Sequence, residues 1–238
     1  MSVLKQHRRI GLIGGMGWPS TRDYYEQLNR NVATNVGGLS GADIALRSLN
    51  FADLLAAADL PGEVERVFEV TARELHAAGA RVFGLCSNTG HLFSSTVRNL
   101  PDLEFVAMEH ALADTLHDAQ VTQVFLLGTL RTLTHPLFPE TLAARGIEAK
   151  LPCSYVQQQL DEAIFAELEH GIVGPLTLSA LDAVESDLRA QGAVDVTLAC
   201  TELPAAIAKR PLPFRTWDTV QIHVQALIDA SFKKVEKK

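Results

Sequence analysis

Short apolar segments alternate with longer segments of helical periodicity along most of the chain. The short segments have the length of buried strands, and the longer ones place apolar residues three and four positions apart. The predicted strands are residues 9–13, 43–49, 81–86, 103–108, 123–127 and 194–199. The predicted helices follow residue 18 and span residues 63–78, 110–118, 133–145, 157–170 and 176–191. This alternation predicts an α/β fold in which helices cover parallel sheets.

A pattern near residue 86 returns far downstream and indicates two related halves. The strand that leads into Cys86 ends in Ser87-Asn88-Thr89, and the strand that leads into Cys200 ends in Thr201-Glu202. We expect a first lobe at residues 1–115, completed by a C-terminal helix within 213–238, and a second lobe at 116–212. Because no Pro/Gly/Ser-rich linker separates them, we expect the lobes to share a cleft, with ligands at the carboxyl ends of the strands.

Composition and charge exclude several classes of protein. The 238 residues are 47% hydrophobic and carry a net charge of −7, and the basic cluster Lys233, Lys234, Lys237 and Lys238 reads as a solvated tail. Nucleic acid is therefore not an expected partner. Without a long apolar run or a secretory pattern, we expect a cytoplasmic protein that does not bind membranes.

Cysteine and histidine positions favour neither disulfides nor a metal. The three cysteines are an odd number, so we expect free thiols. No metal site is expected, because the histidines are scattered and none lies at zinc-ligand spacing from a cysteine.

Candidate chemistry collects where predicted strands end. The turn Gly14-Gly15-Met16-Gly17 does not fit a dinucleotide fingerprint, so it is either a tight turn or an amide cradle for a carboxylate. Ser87-Asn88-Thr89 reads equally as a helix cap or as a site. Cys200 precedes a predicted helix N-terminus, a position that lowers a thiol's pKa, and its structural alternative is a buried inert cysteine. The remaining candidates each have a plain structural alternative: Thr129 and Thr132 as caps, Arg47 as a surface residue, and His91 and Cys153 as structural residues.

Five motifs, in order and spacing, resemble those of aspartate/glutamate racemases, which act without pyridoxal phosphate. They are IGLIGGMGWPST, SLNFADL, SNTGH, LLGTLRT and LACTELP, and the resemblance covers nearly the whole chain. It implies two Rossmann-like lobes related by pseudo-twofold symmetry, with the active site in the cleft. It also implies no cofactor, a small acidic amino acid as substrate, and proton transfer on both faces of its α-carbon. A homodimer is left open.

The resemblance also assigns roles to residues of this chain. Cys200 is the thiol base, and Ser87 stands where the family commonly has a second cysteine, so the face served by Ser87 is expected to be slow at proton abstraction. Glu169 stands where some aspartate-specific relatives have a lysine. The implied substrate-binding residues are Met16, Gly17, Arg47, Asn88, Thr89, Thr129, Thr132, Thr201 and Glu202.

Two other functions stay open at this point. A single thiol in this fold can serve a decarboxylase or a cis-trans isomerase of small dicarboxylates. Loss of the first thiol could also leave a protein that binds an amino acid without turnover. Exchange of the α-proton in deuterated water separates the three, because a racemase labels the amino acid, a decarboxylase labels only after losing carbon dioxide, and a binding protein labels nothing.

Overall fold

Each half of the chain builds a four-stranded parallel sheet covered by helices. The computed structural model describes residues 7–233, so the tail residues Lys234, Lys237 and Lys238 lie outside the described part. Two compact units are present, and each contains one sheet. The α/β class and the parallel sheets predicted from the alternating pattern are confirmed.

The first unit contains the N-terminal elements, and its strand order is β2-β1-β3-β4. The central strands β1 and β3 are fully buried, whereas β2 is a partly exposed edge strand. Buried side chains of α3, among them Phe68 and Leu75, pack against Phe83 of β3. The elements are β1 Ile10–Gly14, α1 Trp18–Val36, β2 Ile44–Ser48, α2 Phe51–Ala57, α3 Glu63–Ala77, β3 Val82–Leu85 and β4 Glu104–Phe105.

The second unit has the strand order β6-β5-β7-β8. Its core joins Phe125 of β5 and Leu198 of β7 to Leu160 and Leu181 on two long helices. A short 3-10 segment, Thr89–Phe93, begins in this unit, and another spans Leu168–His170. The other elements are α4 Met108–Asp118, β5 Gln123–Leu127, α5 Leu130–Thr134, α6 Leu137–Ala143, β6 Glu148–Lys150, α7 Ser154–Ala166, α8 Pro175–Ala190, β7 Asp195–Leu198, α9 Leu203–Lys209 and β8 Arg215–Asp218.

The division between the units differs from the expected lobes. Ser87–Leu92 belongs to the second unit, which resumes at Met108, before the expected boundary at residue 116. The segment 213–238 is not only a helix, because Arg215–Asp218 forms β8 beside β7. The last helix, α10, is Thr219–Phe232, and the residues from His223 onward belong to the first unit.

The elements predicted from sequence differ from the structure mainly where elements are short. The helix expected at 133–145 is two helices, α5 and α6, since Pro136 lacks the N–H that a continuous helix needs. The alternating pattern did not identify β6, β8 or α2, each of seven residues or fewer, whereas α9 is the helix expected after Cys200. Short elements give too few periods for a hydrophobic pattern to register. Among the described residues, no helix combines the length and apolarity that crossing a membrane requires.

The glycine turn after β1 is held by a close backbone approach. Gly15 has φ +93°, and a Cβ on it would lie 2.1 Å from the carbonyl oxygen of Leu49. The Gly15 amide donates to Thr21 Oγ1 at 2.8 Å, and the Leu49 amide donates to the Gly14 carbonyl at 2.9 Å. The turn therefore requires glycine for conformation and for space.

Substituting this glycine tests both requirements. Gly37 has φ +88°, and a Cβ on it would meet no atom within 4 Å, so Gly37→Ala carries only the conformational cost, about 1–3 kcal/mol. Gly15→Ala adds a backbone clash, and we expect it to cost at least about 2 kcal/mol more. Urea unfolding of both variants measures the difference. If both variants lose the same free energy of unfolding, the Leu49 backbone moves away from the new methyl group without a measurable cost.

Candidate active site

The carboxyl ends of β5 and β7 meet at one edge of the second sheet. The two strands are paired in parallel with Leu127 opposite Leu198, and the Ala199 amide donates to the Leu127 carbonyl. A Cβ on Gly128 would lie 2.5 Å from the Ala199 carbonyl oxygen, so the backbones stay in contact just beyond the strands. Thr129 and Cys200, the residues that follow, therefore emerge at the same edge.

Cys200 lies in a buried position beside a carboxylate. Its side chain is 5% exposed and belongs to the hydrophobic core of the second unit. The thiol donates to Glu202 Oε2 at 3.2 Å, and the Thr201 hydroxyl donates to the same oxygen at 2.7 Å. Glu202 is buried as well, which strengthens its electrostatic effect on the thiol.

The pKa of Cys200 shifts in the direction opposite to the one expected from its place before a helix. The Glu202 backbone N–H does lower the pKa, as a helix start should. Burial raises it most, and the carboxylates of Glu202 and Glu169 raise it further, so the net pKa is well above the usual value for a thiol. The expectation of a lowered pKa was therefore wrong, and Cys200 is a neutral thiol near pH 7.

The Asn88 side chain presents its oxygen as a buried acceptor. Thr219 donates its hydroxyl proton to the Leu198 carbonyl at 2.8 Å, so it must accept from Asn88 Nδ2, which lies 3.0 Å away. This fixes the amide orientation. Asn88 is 2% exposed, and its Oδ1 has no hydrogen-bond partner among residues 7–233. A buried acceptor in that state suits an ammonium or N–H donor of a ligand.

Ser87 caps the turn that follows it, as the structural alternative predicted. Its Oγ accepts from the Gly90 amide at 3.1 Å, and its carbonyl lies 2.7 Å from His91 Nδ1. Since a carbonyl cannot donate, that nitrogen carries a proton, and His91 holds the turn in place. The Ser87 hydroxyl keeps its own proton for donation. Ser87 is also buried.

Three threonine hydroxyls form a triangle in the second unit. Thr89 Oγ1 lies 3.1 Å from Thr129 Oγ1 and 2.8 Å from Thr132 Oγ1, and the last two are 3.1 Å apart. Thr129 is also the N-cap of α5, so it caps a helix, as its structural alternative predicted, and belongs to the hydroxyl cluster as well. The three hydroxyls have three protons, and each proton serves a hydrogen bond within the triangle. To bind an anion here, at least one hydroxyl must donate to the anion instead of to its neighbour.

The candidates of the first unit follow its own strand ends. Gly17 is the N-cap of α1, and among the described residues no side chain caps that helix start, which leaves its amides for an anion. Met16 is packed into the core beside this turn. Arg47 pairs with Glu74 at 3.3 Å and is half exposed, beside a groove of about 430 Å³ that Asn50 and Asp53 also line.

A family model described as Asp/Glu/Hydantoin racemase matches residues 13–227 of the chain, which include all these candidates. The chain belongs to this racemase family. The family assignment inferred from the five motifs is thereby confirmed.

Solved structures of similar proteins agree with the family assignment. A candidate Asp/Glu racemase from Yersinia pestis has 28% identity and a TM-score of 0.83, over 95% of this chain and all of that one. An aspartate racemase homologue from Pyrococcus horikoshii OT3 has 27% identity and a TM-score of 0.80, with the same coverage. Picrophilus torridus aspartate racemase shares the fold, with 21% identity and a TM-score of 0.75 over 96% of each chain.

Two residues of the candidate site, Thr219 and Glu169, were not predicted from the sequence to belong to it. Thr219 links Asn88 to the strand that leads to Cys200, and a hydroxyl residue directly after Asp218 at a helix start was the available signal. Glu169 was noted only for its difference from lysine, yet its charge acts on the Cys200 thiol. Glu169 is far from Cys200 along the chain, so the sequence does not show that it affects the pKa of the thiol.

The raised pKa of Cys200 predicts how it reacts with iodoacetamide. The thiolate is the reactive form, so we expect alkylation of Cys200 to rise only at a higher pH than that of exposed Cys153. Glu202→Gln removes one raising charge, and the Cys200 profile should move to lower pH. Peptide mass spectrometry follows both cysteines in one sample. If Glu202→Gln leaves the pH dependence of Cys200 alkylation unchanged, the Glu202 charge does not raise the pKa of the thiol.

Proposed function

We propose that this protein is a cofactor-independent amino-acid racemase that transfers protons at the α-carbon of aspartate or glutamate. The observation that carries the proposal is a buried thiol, Cys200, hydrogen-bonded to Glu202 at a strand end, in a chain of the Asp/Glu/hydantoin racemase family. The family description and the aspartate racemase homologue among the similar structures support an acidic substrate.

Cys200 serves one face of the α-carbon in both directions. As a neutral thiol it can donate its proton directly to a carbanion. To abstract a proton, it must first lose its own, and Glu202 Oε2 at 3.2 Å is the acceptor placed to receive it. The thiolate then takes the α-proton and becomes a thiol again, while Glu202 returns its extra proton to solvent.

Ser87 occupies the place of the second thiol and is a far weaker base. Its hydroxyl accepts from the Gly90 amide, which stabilises the oxygen but does not remove its proton. Ser87, or a water that it positions, can therefore deliver a proton more readily than it can abstract one. Proton abstraction on this face is expected to be the slow step.

The polar groups of the second unit suit the other parts of an amino acid. Asn88 Oδ1 is a buried acceptor for the ammonium group, and the hydroxyls of Thr89, Thr129 and Thr132 can donate to the carboxylate. Donors of this kind also stabilise the charge that develops on the carboxylate when the α-proton leaves. In the first unit, the uncapped amides after Gly17 and the cation of Arg47 are proposed as groups that bind a carboxylate.

The direct test incubates the purified protein with each enantiomer of aspartate and of glutamate. Chiral chromatography should show the opposite enantiomer forming from at least one of the two amino acids, with no pyridoxal phosphate added. Loss of carbon dioxide would instead indicate a decarboxylase. Binding without any product would indicate an amino-acid-binding protein, and either result would contradict the proposal.

Removing the Cys200 thiol separates proton transfer from binding. We expect Cys200→Ala to lower kcat by roughly 10²- to 10⁴-fold, because a positioned acid/base group contributes about that much. Substrate affinity should change only a few-fold, since hydroxyls and amides hold the amino acid. Cys153→Ala, which removes the exposed thiol, is the matched control and should keep full activity. Racemisation at the normal rate by Cys200→Ala would exclude the mechanism.

A further inference from the structure

A second groove in the first unit lies at the amino ends of its strands, away from the turns described above. Arg8 precedes β1, Arg81 precedes β3, and Glu104 begins β4, so these residues share the edge opposite the strand carboxyl ends. The groove they line has a volume of about 820 Å³. Small-molecule sites in proteins are about 300–1,000 Å³, so the space suffices for a metabolite.

The groove is positively charged on a negatively charged protein. Three guanidinium groups line it against the carboxylates of Asp102 and Glu104, before any charge on His76 is counted, while the whole chain carries −7. The guanidinium groups are those of Arg8, Arg81 and Arg98. A local excess of positive charge on such a chain favours an anionic ligand.

Arg81 is the arginine best placed to bind that ligand. Its Nη1 donates to the carbonyls of Ala80 at 2.7 Å and His76 at 3.4 Å, which orients the guanidinium. Within residues 7–233 Arg81 has no ion pair, so its other N–H groups can bind an anion. Arg8, by contrast, already forms an ion pair with Glu104 at 2.7 Å, so part of its guanidinium is not available to a ligand.

Arg98 adds a second guanidinium that is already positioned. It lies over the ring of Phe105, 5.5 Å from the centroid, so a stacking contact restrains its plane. Arginines that are oriented beforehand lose little entropy when they bind, and their paired N–H groups match the oxygens of a phosphate.

We propose that this groove binds a small phosphate ester with a hydroxylated skeleton, that is, a sugar phosphate or a nucleotide. The arginines account for the phosphate. Asp102 and Glu104 would repel a bare anion, but they can accept hydrogen bonds from hydroxyl groups on the same molecule. A ligand with both features would engage both kinds of charged side chain in the groove.

The experiment titrates the whole protein with AMP, ribose 5-phosphate and pyrophosphate by calorimetry at low ionic strength. We expect saturable binding of one AMP or ribose 5-phosphate per chain, about tenfold weaker in Arg81→Gln. Arg30→Gln is the control, because Arg30 is an exposed residue of α1 outside the groove that pairs with Glu26. No saturable binding, or an equal loss in Arg30→Gln, would overturn the proposal.

Asp102→Asn tests the role of the carboxylates. Asp102 has φ +61°, which asparagine tolerates, so the backbone should not change. We expect this variant to bind AMP more weakly and pyrophosphate more tightly, because it removes an acceptor for hydroxyls and a charge that repels phosphate. If wild-type protein binds pyrophosphate as tightly as AMP, or if Asp102→Asn shifts both ligands the same way, the hydroxylated skeleton is excluded.

Discussion

The buried contact between the Cys200 thiol and the Glu202 carboxylate is the interaction on which the proposed chemistry depends. It joins residues two apart in sequence, so the turn between β7 and α9 fixes its geometry at 3.2 Å. Burial raises the pKa of the thiol most, and the charges of Glu202 and Glu169 raise it further, so the thiol stays neutral. The Glu202 carboxylate is the nearest acceptor for the thiol proton, so one contact both restrains the base and provides the way to activate it.

Close backbone contacts and one side-chain hydrogen bond hold the strand ends beside that contact. Gly128 and Ala199 approach closely beyond β5 and β7, and the hydroxyl of Thr219 binds the Leu198 carbonyl. Larger side chains at these points would separate the strand ends.

Much of this arrangement could be predicted from sequence, and the remainder depends on distant residues. The buried strands β1, β3, β5 and β7 gave clear apolar runs, and the five motifs located Cys200, Ser87 and their neighbours. β8 escaped notice because Arg215–Asp218 is short and polar. The local sequence indicated the Glu202 amide, which lowers the pKa of Cys200. Burial, the largest cause of the raised pKa, and the Glu169 charge arise only when the chain folds, and with the Glu202 charge they outweigh that amide.

An enzyme with a thiol for one face and a hydroxyl for the other must be kinetically asymmetric. The equilibrium constant between enantiomers is unity, so kcat/KM is equal in both directions. The asymmetry can therefore appear only in kcat and KM separately, or in exchange without inversion. Cys200 can return a proton to the face it came from after exchange through Glu202. The most direct measurement follows the α-proton of each enantiomer in deuterated water. We predict that one enantiomer exchanges its α-proton with retention faster than it racemises, and that Ser87→Cys makes the two rates equal. Equal rates of exchange and inversion in the wild type, unchanged in Ser87→Cys, would contradict this prediction.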